Sequence, residues 1–269
     1  ASIDGSSLST PLSDAKAKGI PIIAYDRLLT DTDAVDYYAT FDNEEVGRIQ
    51  GKYIVDQLKL ADAKAGTTYN IELFTGDPGD NNAQLFWKGA ITDTLQQYID
   101  SGVLVVKSGQ KDFASCATAE WKTETAQARM DDLISSYYAD GTKIDAVMCS
   151  NDSTALGVTQ AIESDYAGKN DVLITGQDGD EANLANIVDG KQSMTVYKAV
   201  ANEAVVTLDL AEAMLKGDTI DDSLITNSKW DFDCAYDTES YETSEGHKCP
   251  SFLLVPTVVT KDNMKEELV

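Results

Sequence analysis

Apolar and polar positions along this chain fall into a repeating block: a short β-branched run, a polar turn rich in Asp, Asn and Gly, then a longer segment with apolar residues at helical spacing. The stretch from Asp171 to Lys198 shows the block most fully. Asp171-Val172-Leu173-Ile174-Thr175 predicts a strand, Gly176-Gln177-Asp178-Gly179 an acidic turn, the segment through Ile187-Val188-Asp189-Gly190 a helix, and Met194 to Lys198 a second strand. In an open α/β sheet, ligands collect beyond the carboxyl ends of the strands. Gln177, Asp178 and Lys198 are therefore expected at one rim, where three polar groups suit a polar ligand.

The same block runs through the chain. Ala1 to Gly5 reads as the tail of a strand, Leu8 to Lys18 as a helix stopped at Gly19, and Ile20 to Tyr25 as a buried strand with Asp26-Arg27 at its carboxyl end. Tyr37 to Phe41 predicts a strand, and Asp42-Asn43 caps a helix from about Glu44 to Leu60 with Val46, Ile49, Gln50, Tyr53, Ile54 and Leu58 on one face. Further strands are expected at Tyr69 to Phe74, Val103 to Val106 and Ile144 to Cys149. Helices are expected from Ala83 to about Ser101, from Trp121 to about Tyr138 and from Ala155 to Tyr166.

Strands alternating with helices imply parallel sheets with right-handed crossovers, so the fold class is α/β. Tyr69 to Lys198 supplies five strands and four helices, a complete doubly wound domain, whereas the part before it has three strands and two helices. The helix from Val200 to Lys216, with Val205, Leu208, Ala211 and Leu215 at helical spacing, is expected to return to the first domain.

Length and charge narrow the class. The 269 residues suffice for two domains, and 21 basic against 46 acidic residues give a net charge of −25, which repels nucleic acid and anionic lipid. No apolar run approaches the ~18 residues of a membrane span, and the first residues lack a basic region followed by an apolar stretch. Any signal peptide or lipid-anchor cysteine is expected to have been removed or to lie upstream.

Four cysteines, Cys116, Cys149, Cys234 and Cys249, allow three full pairings. Cys234 and Cys249 bracket the polar segment Ala235 to Lys248, and a disulfide there would pin a loop with little to bury, at a gain of about 3 kcal/mol. Cys149, ending an apolar strand, is expected as a buried thiol. His247 beside Cys249 makes two ligands, too few for zinc.

Several stretches carry a resemblance. They are Gly19 to Arg27, Phe41-Asp42-Asn43 with Val46-Gly47, Gly76 to Phe86, Trp121-Lys122 with Glu124, Ser150-Asn151-Asp152, Gly176-Gln177-Asp178 and Met194 to Lys198. In order along nearly the whole chain, they resemble the periplasmic or extracellular sugar-binding proteins of ABC importers, in the xylose-binding and multiple-monosaccharide-binding branch. The resemblance implies two α/β domains of the type I periplasmic binding protein, joined by a three-strand hinge, with the sugar held in the cleft between them. The first lobe is expected over residues 1–68 plus 199–251 and the second over 69–198 plus 252–269. Crossings fall near Thr68, near Tyr197 to Ala199 and near Phe252 to Val255, with Leu253-Leu254-Val255 as a strand of the second lobe. The family also has a strand, helix, strand, helix, strand ahead of the position of Ile3, including a basic and aromatic pair on the sugar. By this comparison the first domain lacks its N-terminal strands.

The resemblance further implies the pocket: Asp26, Arg27, Asp80, Asn82, Trp121, Asn151, Asp178 and Lys198. The chemistry suits a sugar, which has a hydroxyl on nearly every carbon and weakly apolar faces. Arg27 can fork onto two oxygens, Asp26, Asp80 and Asp178 can each accept from two hydroxyls, Asn82 and Asn151 donate and accept, Lys198 donates, and Trp121 can lie against C–H bonds. Asp152 is read instead as a helix cap, and Trp87 with Phe86 as core. Gly176 to Glu181 lacks the ligand spacing of an EF-hand loop.

The expected function is that of a solute-binding component that captures a monosaccharide such as xylose, glucose or galactose and delivers it to a membrane permease. No cofactor or metal is expected. The protein is expected to work as a monomer outside the cytoplasm, lipid-anchored to the cell surface, with a chemosensory receptor as a further partner. An enzyme is disfavoured, because no phosphate-binding glycine loop, serine elbow or Cys–His pair is present. The effector domain of a sugar-responsive regulator shares the architecture, but this acidic sequence carries no helix-turn-helix.

Overall fold

The computed structural model describes residues 2–168 and 170–268, which leaves Ala1, Lys169 and Val269 outside the described residues. The chain forms two compact units. One comprises the segment ending at Asn43, the short stretch Gly79–Asn82 and Lys198–Pro256; the other comprises Glu44–Pro78, Ala83–Tyr197 and the residues from Thr257.

In the first unit β1 (Ile23–Tyr25) lies parallel to β2 (Tyr37–Phe41). The second unit contributes β3 (Tyr69–Phe74), β4 (Leu104–Val105), β5 (Ala146–Cys149), β6 (Leu173–Ile174), β7 (Gln177–Asp178) and β8 (Thr195–Tyr197). The chain then returns to the first unit with β9 (Cys234–Asp237), the hairpin of β10 (Glu242–Ser244) and β11 (His247–Lys248), and β12 (Ser251–Leu254), before β13 (Thr257–Val259) joins the second. The first unit's sheet runs β1-β2-β12-β9, parallel except for β9. The second unit holds a parallel sheet in the order β4-β3-β5-β6, and β7 parallel to β8 with β13 antiparallel on the other side.

The reason for β3 and β5 is visible in what they bury. Ile71, Leu73, Ala146 and Met148 face one apolar cluster with Ile54, Ile91, Leu95 and Leu104, while Phe74, Val147 and Cys149 face another with Met130, Leu133, Tyr138 and Val158. Successive strand residues point to opposite faces, so a strand covered by helices on both sides must be apolar throughout. Among the buried residues of β3 and β5 Glu72 is the exception: it accepts hydrogen bonds from Tyr138 Oη at 2.6 Å and Ser108 Oγ at 2.6 Å.

Several expectations are corrected. Residues 2–5 form no strand; Asp4 caps a 3-10 turn, Gly5–Leu8, leading into the helix Ser9–Ala17. The helix Asn43–Leu58 belongs with the second unit rather than the first, so the chain passes between units after Asn43, not near Thr68. Glycines cause this: a Cβ on Gly47 would come within 2.1 Å of Phe86 O and one on Gly89 within 2.0 Å of Glu44 O, so the two helices touch backbone to backbone. Leu253 and Leu254 pair with β2 in the first unit's sheet, and the last crossing lies after Pro256, which cannot donate to a ladder.

The helix Val200–Lys216 does pack in the first unit, but through Val206, Leu210 and Ala213 against Ala39, Phe41, Phe252 and Leu254. Val205, Leu208 and Leu215 are exposed. Nearly every side of this helix is apolar, so the sheet and not the periodicity selects the buried face.

The expected Cys234–Cys249 disulfide is also corrected, since all four thiols are free. Cys234 pairs with Leu254 at the far end of the antiparallel ladder, and Cys249 precedes β12, five residues or roughly 16 Å of extended chain from Leu254. A disulfide needs Cα atoms within about 7 Å. The bracketed segment needs no bridge: it folds as the β10–β11 hairpin, and Tyr241 packs edge-on to Tyr38 with ring centroids 5.1 Å apart.

Candidate functional site

In the first unit the polar cluster grows from the end of β1. Asp26 has φ of 61°, in the left-handed region that a residue with a Cβ rarely enters. That turn aims its carbonyl at three donors: Tyr38 Oη at 2.7 Å, Thr40 Oγ1 at 2.9 Å and Asn82 Nδ2 at 3.0 Å. With the backbone so held, the carboxylate accepts from Arg27 Nη1 at 2.7 Å. Arg27 Nε donates to Asp80 Oδ2 at 2.8 Å, and Asp80 Oδ1 takes the Asn82 backbone N–H at 2.9 Å. Asp80 is buried, whereas the Asp26 and Arg27 side chains keep 21% and 27% of their surface exposed, enough for a ligand to touch. Lys198 has its ammonium 5.9 Å from the centre of the Phe41 ring. Five of the eight expected residues are thus in the first unit, and four form one hydrogen-bonded cluster.

Beneath them lies Glu203, which the sequence reading missed. It is buried at 1% exposure in the first turn of the helix Val200–Lys216, and its Oε1 has no hydrogen-bond partner. Burial, reinforced by the charge of Asp26, pushes its carboxyl up to about 8, against the pull of Lys198, the Asp26 backbone N–H and Arg27. Its position on a helix among alanines and valines was the only signal.

The other three residues belong to the second unit. Trp121 sits in the turn Ala119–Trp121 rather than opening a helix, which begins at Thr123. It is half-buried, at φ of 57°, edge-on to Phe86 at 6.2 Å, and packs against a cluster of Val46, Phe86, Met194 and Val196. Its ring lies so close to Gly76 that a Cβ there would be 2.0 Å away. Asn151, not Asp152, caps the helix Asp152–Asp165, with Oδ1 accepting from Thr154 N at 3.0 Å, which leaves its amide N–H₂ as what it can offer a ligand. Asp178 ends β7 at φ of 107°. Among the described residues seven non-glycines have positive φ, and Asp26, Trp121 and Asp178 are three of them, a concentration of backbone strain typical of binding sites.

Asp152 has a different place from the one expected. Fully buried, it receives hydrogen bonds on both oxygens, and burial pushes its carboxyl up to about 7 against them. Gln50 and Gln177 each donate to Ser150 O, at 3.0 and 3.1 Å, tying the end of β5 to the helix Asn43–Leu58 and to β7. Among the described residues no group of three or more His, Cys, Asp or Glu is placed to hold a metal ion.

The profile of the periplasmic binding protein domain matches residues 1–219. The chain belongs to this family. It is 41% identical over 273 residues to the multiple sugar-binding periplasmic receptor ChvE of Rhizobium radiobacter, covering 100% of this chain and 72% of the receptor. It is 35% identical over 268 residues to the D-xylose-binding periplasmic protein of Escherichia coli strain K12, covering 99% of this chain and 70% of that protein. Among solved structures, an ABC transporter solute-binding protein from Clostridium phytofermentans with bound β-D-glucose superposes with a TM-score of 0.91 at 51% identity, covering 100% of this chain and 78% of that one. A carbohydrate transporter solute-binding protein from Chloroflexus aurantiacus in complex with D-glucose gives 0.82 at 30% identity, covering 99% and 76%. These relatives are binding proteins, and this periplasmic binding protein is likewise not an enzyme.

Proposed function

We propose that this protein is the solute-binding component of an ABC sugar importer, working outside the cytoplasmic membrane and delivering a monosaccharide to a membrane permease. The observation that carries the reading is the cluster of Asp26, Arg27, Asp80 and Asn82. A guanidinium clamped by two carboxylates offers oriented donors and acceptors to adjacent hydroxyls without a rearrangement on binding. Its similarity to receptors named for xylose and multiple sugars, and to proteins crystallised with glucose, supports the same class of ligand. Asp26, Arg27, Asp80, Asn82 and Lys198 of the first unit and Trp121, Asn151 and Asp178 of the second are the proposed contacts. The protein acts as a monomer, tethered at the cell surface by a lipid and able to present its loaded form to a chemosensory receptor.

Titration calorimetry against D-glucose, D-xylose, D-galactose, L-arabinose and fucose tests the proposal. Saturable binding of at least one sugar is expected, and Arg27→Ala and Asp178→Ala are each expected to weaken it about 10- to 100-fold, the worth of a hydrogen bond to a charged group. Absence of binding by the folded protein to every sugar overturns the reading. Wild-type affinity in either variant removes that residue from the site.

A further inference from the structure

The Asp152 carboxylate lies behind the turn that comes after β7. Its Oδ2 accepts the backbone N–H groups of Gly179 and Asp180, each at 2.9 Å, and Thr195 Oγ1 at 3.0 Å. Its Oδ1 accepts Gln192 Nε2 at 2.9 Å. Gln192 Oε1 in turn takes Asn183 Nδ2 at 2.7 Å, and the same Asn183 nitrogen donates to Asp152 O at 2.9 Å. Asp152, Asn183, Gln192 and Thr195 are all at most 2% exposed. One buried residue, through its carboxylate and its backbone carbonyl, therefore joins the helix Asp152–Asp165, the turn after β7, the helix Glu181–Asp189 and β8. The packing leaves no slack, since a Cβ on Gly176 would fall 2.1 Å from Asp152 Oδ1.

The two backbone N–H groups it holds are those immediately after Asp178, whose φ of 107° is costly for any residue with a Cβ. A strained conformation persists only where the surroundings over-determine it, and two charge-assisted hydrogen bonds on the next two residues do so. We infer that Asp152 is the positioning residue that fixes Asp178 for ligand binding. The inference rests on the proposed sugar contact of Asp178. Asp152 acts through the turn and touches no sugar.

The test is a pair of double-mutant cycles by calorimetry with the sugar the wild type binds. Asp152→Asn turns an amide toward donors that need a carboxylate, and is expected to weaken binding about 10-fold while the protein still melts cooperatively. In an Asp178→Ala background the same change is expected to cost less than about 2-fold, because the residue it positions is gone. In an Arg27→Ala background it is expected to cost the full factor. Equal losses in both backgrounds overturn the inference and make Asp152 a general support of the second unit. Should Asp152→Asn fail to fold, Thr195→Val withdraws a single donor and is expected to weaken binding about 2- to 5-fold with the same dependence on Asp178. A wild type that binds no sugar overturns the functional reading instead. The turn is then read by amide exchange, where unchanged protection of Gly179 and Asp180 in Asp152→Asn overturns the inference independently.

Discussion

At the scale of single residues, the chemistry was legible and the roles were not. Asp26 and Arg27 were expected in the first lobe and Asp80 and Asn82, within 69–198, in the second; all four lie in the first unit and share one set of hydrogen bonds. The cap expected of Asp152 is made by Asn151, and Asp152 anchors a turn 27 residues away. Either side chain can cap a helix, so only the long-range partner separates them. Glu203 yields a prediction here. Its folded value of about 8 lies above the ordinary 4.5, so the folded state keeps the proton that the unfolded chain has lost. Stability from this residue is therefore greatest at acid pH, falls as pH rises from about 4.5 to about 8, and is level above that. Glu203→Gln is expected to remove that slope and to stabilise the protein by about 1–3 kcal/mol at pH 8.5, with little change at pH 4. Urea melts across this range check it, and an unchanged slope rejects it.

At the scale of elements, strands predicted at Tyr37–Phe41 and Tyr69–Phe74 have those bounds, because a β-branched and aromatic run between turn residues is locally unambiguous. Helices were harder. The segment from Asn81 to Asp100 is α-helical at both ends with a π-helical stretch, Lys88–Leu95, between them. That stretch carries Gly89 against the backbone of the helix Asn43–Leu58. Gly89→Ala would thrust a methyl group into Glu44 O, a backbone atom that can yield only by separating the helices. We expect it to destabilise the protein by about 1–3 kcal/mol, measured by urea unfolding. A wild-type midpoint would show that the helices separate at no cost.

At the scale of the whole molecule, the excess of acidic residues outweighs any single ion pair. Among the described residues several salt bridges, such as Lys52–Asp56 and Lys216–Glu212, are exposed and contribute little each. Repulsion within a net charge of −25 acts across the whole surface, and it is screened as the Debye length shrinks from about 20–30 Å to about 5–6 Å. Raising NaCl from about 20 mM to about 300 mM is thus expected to raise the melting temperature by about 2–4 °C, near 1 kcal/mol for a chain of this size. A fall in melting temperature would mean that attractive pairs dominate instead.

The sequence by itself determined what neighbouring residues decide among themselves: the α/β class, the order of most strands and helices, the acidic turns at strand ends and the residue types suited to hydroxyls. Local steric preference and hydrophobic period carry that information within a window of ten to twenty residues. Tertiary structure alone decided which unit a segment joins, which side of an apolar helix is buried, whether two cysteines meet, and which carboxylate faces outward and which holds a turn. Leu254 could pair in either unit until β2 lay beside it, and Cys234 and Cys249 were close in sequence but five residues out of register. Asp152 reads as one more polar residue at a helix start. Gly179, Asp180, Gln192 and Thr195 gather around it only in the folded chain, where removal from water makes each of those hydrogen bonds necessary.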